Sequence, residues 1–85
     1  MIRPKAVEVS VLPEYCLLIT FNNAERRVFD VKPYLDFQPF IELRNQVLFN
    51  TVKPSGLSVE WIRGQDICPD DLYYNSTPYS CNEVS

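Results

Sequence analysis

The chain has 85 residues and a formal net charge of −3, from 8 Lys and Arg against 11 Asp and Glu. A chain of this length makes one small domain, and its acidic excess argues against a general affinity for nucleic acid, which depends on cationic contacts to phosphates. Histidine is absent, which removes the commonest general base and the commonest metal ligand.

The cysteines and the apolar runs bear on the compartment. The chain has three cysteines, and its first residues lack the apolar stretch of a secretory signal. The longest apolar run, around CLLI, is far too short to cross a bilayer. We therefore expect reduced thiols, a cytoplasmic location and no association with a membrane.

The first third of the chain has the alternation and the breaks of three consecutive strands. Val7, Val9 and Val11 alternate with the polar residues Glu8 and Ser10, as in a strand with one buried face. Pro13 ends this pattern, and the following stretch is apolar on both faces, as in a central strand. We expect Arg26 and Arg27, beside the next turn, to lie in solvent. The predicted strands are residues 7–12, 15–21 and 25–31.

The middle of the chain contains one segment that favours helix. Residues 32–45 include two prolines, which limit this segment to one or two short helices. Pro39 fits the first helical position, where its missing N–H is not needed. Phe40 and Leu43 are spaced to share one face of such a helix.

Two further strands are predicted after this helical segment, at residues 47–53 and 57–62. In the second of them Leu57, Val59 and Trp61 alternate with polar residues. This alternation predicts that the three apolar side chains share the buried face.

Residues 68–75 have the features of a helix start. Pro69 suits the first helical position, and Asp70 and Asp71 then fall in the first turn, where the helix dipole favours negative charge. We expect Leu72 to bury against the sheet.

The predicted order is strand, strand, strand, short helix, strand, strand, helical turn. Short turns between neighbouring strands imply antiparallel pairing. We therefore expect an α+β fold, with an antiparallel sheet of about five strands and one or two short helices on one side. The predicted domain covers residues 1–75, and residues 76–85 are polar and aperiodic, as in a flexible C-terminal tail.

The acidic residues near the C-terminus allow two interpretations. In the first, Asp70 and Asp71 are helix-start residues. In the second, Glu60, Asp66, Asp70 and Asp71 gather into a divalent-cation or acid–base site. Their spacing matches no calcium loop, because the alternating ligands and the central glycine are missing. We expect no catalytic residue, no metal site and no cofactor. A small enzyme or ligand-binding domain built on the aspartates is the alternative.

The same stretch carries the residues that we single out for an interaction surface. Trp and Tyr dominate the energetics of protein interfaces, although they equally suit the rim of a small core. Asp66 precedes the predicted helix without an assigned capping role, and it could accept N–H bonds within residues 63–68. The candidate interaction or signature residues are Trp61, Asp66, Pro69, Leu72, Tyr73 and Tyr74.

Three stretches carry the most specific pattern: LLITFNNAERRVFDVKPYL (17–35), FIELRNQVLFNTVK (40–53) and VEWIRGQDICPDDLY (59–73). Together they resemble a small bacterial family known as domain of unknown function 2442, over most of the chain. The matching positions are Asp30, Pro33, Leu35, Leu43, Phe49, Trp61, Gly64, Asp66, Pro69, Leu72 and Tyr73. Ala24 stands where the family has a turn glycine, so we expect Asn22 or Asn23 to take the strained turn conformation.

The resemblance implies an α+β domain with an antiparallel sheet, and it assigns no activity. Some members look fused to a helix-turn-helix domain, and others are encoded beside another small protein, in arrangements that look like toxin–antitoxin pairs. Our first hypothesis is a non-enzymatic module that binds another small protein or a second copy of itself, as the neutralising member of such a pair. A transcription-linked regulator is a further alternative, although the chain has no basic helix and we expect no direct binding of nucleic acid.

Overall fold

The computed structural model describes residues 4–79. Its strands are β1 (Ala6–Leu12), β2 (Cys16–Phe21), β3 (Arg26–Asp30), β4 (Lys53–Ser55), β5 (Ser58–Glu60) and β6 (Thr77–Pro78). Its helices are α1 (Gln46–Phe49), α2 (Pro69–Tyr74) and two 3₁₀ helices, Lys32–Asp36 and Phe40–Arg44. Within residues 4–79, no helix combines the length and the hydropathy needed to cross a bilayer.

The strands form two antiparallel sheets. The larger sheet has the order β1-β2-β3-β6, and β4 and β5 pair as a separate hairpin. The predicted α+β class and antiparallel pairing are confirmed, with the strands divided between two sheets. Pro54 lies in the three-residue strand β4, where its missing N–H limits the pairing that this strand can make.

A β-bulge changes the phase of β1. Ala6 pairs with Phe21 and Glu8 pairs with Thr20, which leaves Val7 as the extra residue. The bulge turns the small Ala6 into the core and leaves Val7 exposed. The prediction that Val7 shares a face with the next two valines is therefore wrong.

Residues 47–53 do not form the strand that their apolar pattern predicted. The Asn45 side chain accepts a hydrogen bond from the backbone N–H of Val47 at 2.9 Å, and this cap starts α1. Phe49 is buried, while 74% of Val47 is exposed. The strand begins only at Lys53.

β5 is shorter than predicted and its buried face differs by one residue. Leu57 lies in the β4–β5 turn and is exposed, so its predicted place on the buried face is wrong, while Ser58 is buried. Val59 and Trp61 are buried as predicted. The alternation of buried and exposed residues therefore does not extend into the hairpin turn that precedes β5.

The core lies between one face of the larger sheet and the short helices. Its buried apolar residues are Ala6, Leu17, Ile19, Phe21, Phe29, Val31, Leu35, Leu43, Phe49, Val59, Trp61, Ile67 and Leu72. Trp61 is 1% exposed, and its indole N–H donates to the Phe49 carbonyl at 3.0 Å. This bond satisfies the one polar group of the ring within the core.

The end of the described chain closes the sheet. Ser76 is buried, and Thr77 and Pro78 pair with β3. Arg27 donates from Nε to Ser76 Oγ at 2.7 Å and from its second terminal nitrogen to the Ser76 carbonyl at 2.8 Å. The domain therefore continues past the predicted boundary at residue 75. The prediction that Arg27 lies in solvent is wrong, because Ser76 binds its guanidinium group. The predicted flexible tail beyond Tyr79 falls outside the described residues.

The turn between β2 and β3 has its unusual conformation at Ala24, which has φ 72°. The prediction that Asn22 or Asn23 takes this conformation is wrong. Asn23 supports the turn in another way, since its side-chain oxygen accepts from the backbone N–H of Glu25 at 3.0 Å. Ala24 N–H donates to the Phe21 carbonyl at 2.9 Å, which closes the turn.

Candidate functional site

The six candidate interaction residues do not form one surface. Trp61 and Leu72 are buried in the core, and Pro69 begins α2 as predicted. Asp66 and Tyr74 are exposed. The segment from Trp61 to Tyr74 therefore contributes mainly to the packing of the core.

Tyr73 joins a polar network at the edge of this packing. Its hydroxyl donates to Glu25 Oε1 at 2.7 Å, and its ring packs edge-on against Phe21 with centroids 5.1 Å apart. The Arg27 guanidinium lies over the same ring at 4.6 Å and forms an ion pair with Glu25 at 2.8 Å. These contacts make a structural clasp between the β2–β3 turn and α2.

The clasp shifts two ionisation equilibria. The hydrogen bond from Tyr73 lowers the pKa of Glu25, and hydrogen bonds from Arg27 and Asn23 lower it further. The same bond to the Glu25 carboxylate raises the pKa of Tyr73. Both shifts favour the charged carboxylate and the neutral phenol.

The acidic residues near the C-terminus do not come together in one site. Asp70 and Asp71 occupy the first turn of α2, as predicted for helix-start residues. The backbone of Asp66 forms an isolated bridge with Glu60, whose carboxylate accepts from Ser55 Oγ at 2.7 Å. Among residues 4–79, no three His, Cys, Asp or Glu side chains are grouped so as to hold a metal ion.

An open groove lies where β3 passes into the first 3₁₀ helix and faces the end of α2. Its volume is about 450 Å³. Its lining, here called the aromatic groove, consists of Phe29, Asp30, Pro33, Tyr34, Phe37 and Asn75. None of Asp66, Asp70 and Asp71 belongs to this lining, so the groove is not the cluster of aspartates in the alternative interpretation, and its one carboxylate is that of Asp30.

The floor and the rim of the aromatic groove differ in exposure. Phe29 is buried and contacts the half-buried Tyr34, with ring centroids 5.6 Å apart. Tyr34 in turn packs against Phe40, which ties the floor to the core. On the rim, 66% of Phe37 is exposed, an unusual exposure for a large aromatic side chain.

The polar groups of the groove carry an acidic bias. Asp30 accepts from the backbone N–H of Lys32 at 2.9 Å and forms an exposed ion pair with its ammonium group at 3.1 Å. Burial raises the pKa of Tyr34, and the negative charge of Asp71 raises it further, against a hydrogen bond with Asn75 that lowers it. The phenol is therefore held neutral beside negative charge.

The chemistry available at the groove is binding. Aromatic rings can take an apolar side chain, and Asp30 and the Asn75 amide offer polar anchors around it. Two other exposed apolar residues, Val47 and Ile62, lie outside the groove lining, with 74% and 69% of their surface exposed. They provide matched controls for the exposure of Phe37.

Part of this site had a signal in the sequence. Asp30 and Pro33 belong to the positions that carry the family resemblance, but their sequence pattern indicated only the end of a strand and the start of a helix. Phe37 and Asn75 had no signal, because each falls at an irregular end of an element where no period applies.

Comparison with known proteins gives a family and no activity. Neither the curated proteins nor the solved structures gave a match. A family model described as "Protein of unknown function (DUF2442)" matches residues 6–78, from β1 to β6. The matched range spans both sheets, the two α-helices, the two 3₁₀ helices and the lining of the aromatic groove. The chain therefore belongs to the DUF2442 family, as its sequence pattern indicated.

Proposed function

We propose that this chain is a non-catalytic protein-binding module whose contact surface is the aromatic groove. The observation that carries the proposal is the exposed Phe37 on the rim of an open, aromatic-lined groove that holds a single carboxylate. Interface centres are rich in aromatic residues and poor in charge. The aspartates of the alternative, enzymatic hypothesis are not part of the groove lining.

The occupant that fits this groove is a segment of a partner protein with an apolar side chain next to a Lys or Arg. The apolar side chain would fill the space between Phe37 and Tyr34. The cation would lie near Asp30, in competition with Lys32, and within the field of Asp71. The net charge of −3 on the whole chain would favour the approach of such a partner.

The finer proposal is that the partner is a small protein encoded nearby and that the chain neutralises it in the cytoplasm. This role rests on the toxin–antitoxin arrangements that the family resemblance implies. An acidic binding module suits a basic partner. The groove itself specifies only the chemistry of the contact.

A display experiment tests the groove directly. A library of random linear peptides is selected against the full chain, and we expect enriched peptides that combine an aromatic or aliphatic residue with Lys or Arg. Phe37→Glu should weaken them by at least about tenfold, because it places charge against an apolar side chain. Val47→Glu, at a position outside the groove lining that is at least as exposed as Phe37, should bind like the original chain.

The result that would overturn the proposal is equal binding by both variants, or no enrichment at all. The finer proposal has its own test, co-expression with the product of the neighbouring gene. A stable complex that survives Val47→Glu and is lost with Phe37→Glu would support it. A complex unaffected by Phe37→Glu would move the partner to another surface.

A further inference from the structure

We propose that the free edge of β1 pairs with β1 of a second copy of this chain, which makes a two-fold symmetric dimer with a continuous eight-stranded sheet. This interface lies at the opposite edge of the larger sheet from β6 and does not depend on the aromatic groove. The two edges of the sheet differ, backbone groups of β1 point outward, and the regular part of β1 is symmetric.

The two edges of the larger sheet are unlike. The β6 edge is a strand of two residues that ends in Pro78, and short strands and prolines are devices that prevent pairing. The β1 edge has seven residues, with neither Lys nor Pro among them, and its bulge at Val7 limits regular pairing to the residues after it.

The β4–β5 hairpin lies beside the start of the β1 edge. Ala6 N–H donates to the Leu57 carbonyl at 3.3 Å. Pro54 and Ser55 line one cleft with Ala6 and Val7. The part of the edge that pairs in the proposed dimer therefore begins after Val7.

Hydrogen bonds around β2 show which groups of β1 face outward. Phe21 N–H donates to the Glu25 carbonyl, so Phe21 bonds toward β3, and its neighbour Thr20 bonds toward β1. By the same alternation Leu18 and Cys16 also bond toward β1. The partners of these three residues on β1 are Glu8, Ser10 and Leu12. The N–H and C=O groups of the intervening residues of β1 therefore point to the free edge.

Those outward groups belong to Val9 and Val11. No described residue pairs with either of them on this side. They provide two donors and two acceptors in the spacing of an antiparallel ladder. A strand of another chain can satisfy all four.

The regular stretch of β1 is symmetric about Ser10. It is bounded by the bulge at Val7 and by Pro13, which has no N–H to donate. A two-fold axis at Ser10 pairs Val9 of one copy with Val11 of the other, twice, and so uses every outward group. Centring the axis on Val9 would include the bulge, and centring it on Val11 would pair Val9 with Pro13.

The side chains accept this register. Ser10 meets its own copy across the axis, and a small exposed side chain allows the close approach of a non-hydrogen-bonded pair. Glu8 lies opposite Leu12, so the register opposes no like charges. The valine pairs join β-branched side chains, which suit cross-strand contact.

Sedimentation equilibrium of the full chain over a wide concentration range tests the proposal. We expect a concentration-dependent dimer mass, and a monomer mass for Ser10→Lys, which places two cations at the axis. Thr20→Lys, on the same face of the inner strand β2, should remain dimeric. Val9→Pro removes one outward N–H, leaves the β1–β2 ladder intact, and should also be monomeric.

A cross-link tests the register without any loss of stability. Cα atoms of a non-hydrogen-bonded pair lie about 4.5 Å apart, within the range that a disulfide spans. Oxidised Ser10→Cys should therefore give a dimer whose linked peptides, identified by mass spectrometry, join position 10 to position 10. Thr20→Cys should not give this link. A monomer at every concentration, or a Ser10→Cys chain that forms no such link, would overturn the proposal.

Discussion

At the scale of single residues, Trp61 is the largest side chain of the core and has its only polar group satisfied there. Trp61→Ala removes that volume and leaves the Phe49 carbonyl without its donor. We expect a loss of about 3–5 kcal/mol in the free energy of unfolding, measured by urea denaturation. Ile62→Ala, at the exposed neighbouring position, should change it by less than about 0.5 kcal/mol. A folded Trp61→Ala chain of nearly unchanged stability would contradict this packing assignment.

Ala24 and Gly56 form a natural pair for measuring backbone strain. Both have positive φ, 72° and 58°, but only Ala24 carries a Cβ. Ala24→Gly should stabilise the fold by roughly 0.5–1 kcal/mol, the relief of left-handed strain less the added freedom of the unfolded chain. Gly56→Ala should destabilise it by about 1 kcal/mol, since an added Cβ there meets no atom within 4 Å and the cost is conformational alone. Changes of the same sign in both thermal melts would contradict this account.

The clasp around Glu25 predicts a dependence on pH. Its pKa is lower in the fold than its ordinary value of 4.5, chiefly through the hydrogen bond from Tyr73. The stabilisation is therefore present above pH 4.5 and is lost as the pH falls through the lowered pKa. Between about pH 5 and about pH 3, the original chain should lose more stability than Glu25→Gln. Asp66→Asn, which changes an exposed carboxylate outside the clasp, should follow the original chain.

At the scale of elements, β6 is small but holds the sheet closed. A chain that ends at Asn75 loses the two acceptors that Ser76 offers to Arg27, and it also loses the pairing of β6 with β3. Arg27 keeps its ion pair with Glu25. We expect it to be less stable than a chain that ends at Tyr79 by at least about 2 kcal/mol, because hydrogen bonds to a charged group are among the stronger ones. Both chains end in a new carboxylate, so thermal melts compare them fairly. Equal stability would show that Arg27 finds other partners.

The elements also show where sequence patterns succeed and fail. The first three strands and α2 follow from alternation and from Pro69, because each is long enough or marked clearly enough to express a period. The strand predicted from the apolar run near Phe49 is wrong, because the Asn45 cap starts a helix of four residues there. The predictions that Val7 and Leu57 lie on buried faces are wrong for one reason. In each case an irregularity of a single residue reverses which face of the strand is buried. The residues of the candidate site at Phe37 and Asn75 lie where no period exists.

At the scale of the whole molecule, the two proposals place binding at opposite edges of one sheet. The aromatic groove lies beyond β3, and the proposed pairing edge is β1, with β2 between them. A dimer would then present two grooves, and a partner with two matching segments would bind through both at once. Ser10→Lys should therefore weaken a divalent partner while leaving the affinity of a single peptide unchanged. A loss of single-peptide affinity in that variant would show that the two surfaces are coupled.

The closure of the sheet by Ser76 has a consequence for biosynthesis. Ser76 lies 49 residues after Arg27 in the chain. At about 5–20 residues per second, β3 waits roughly 2–10 seconds after its own synthesis before its closing partner exists. During that wait its outer edge is a template on which another nascent chain could pair. The two arginines on β3 place charge on this edge, and charge of that kind discourages premature pairing until the closing strand arrives.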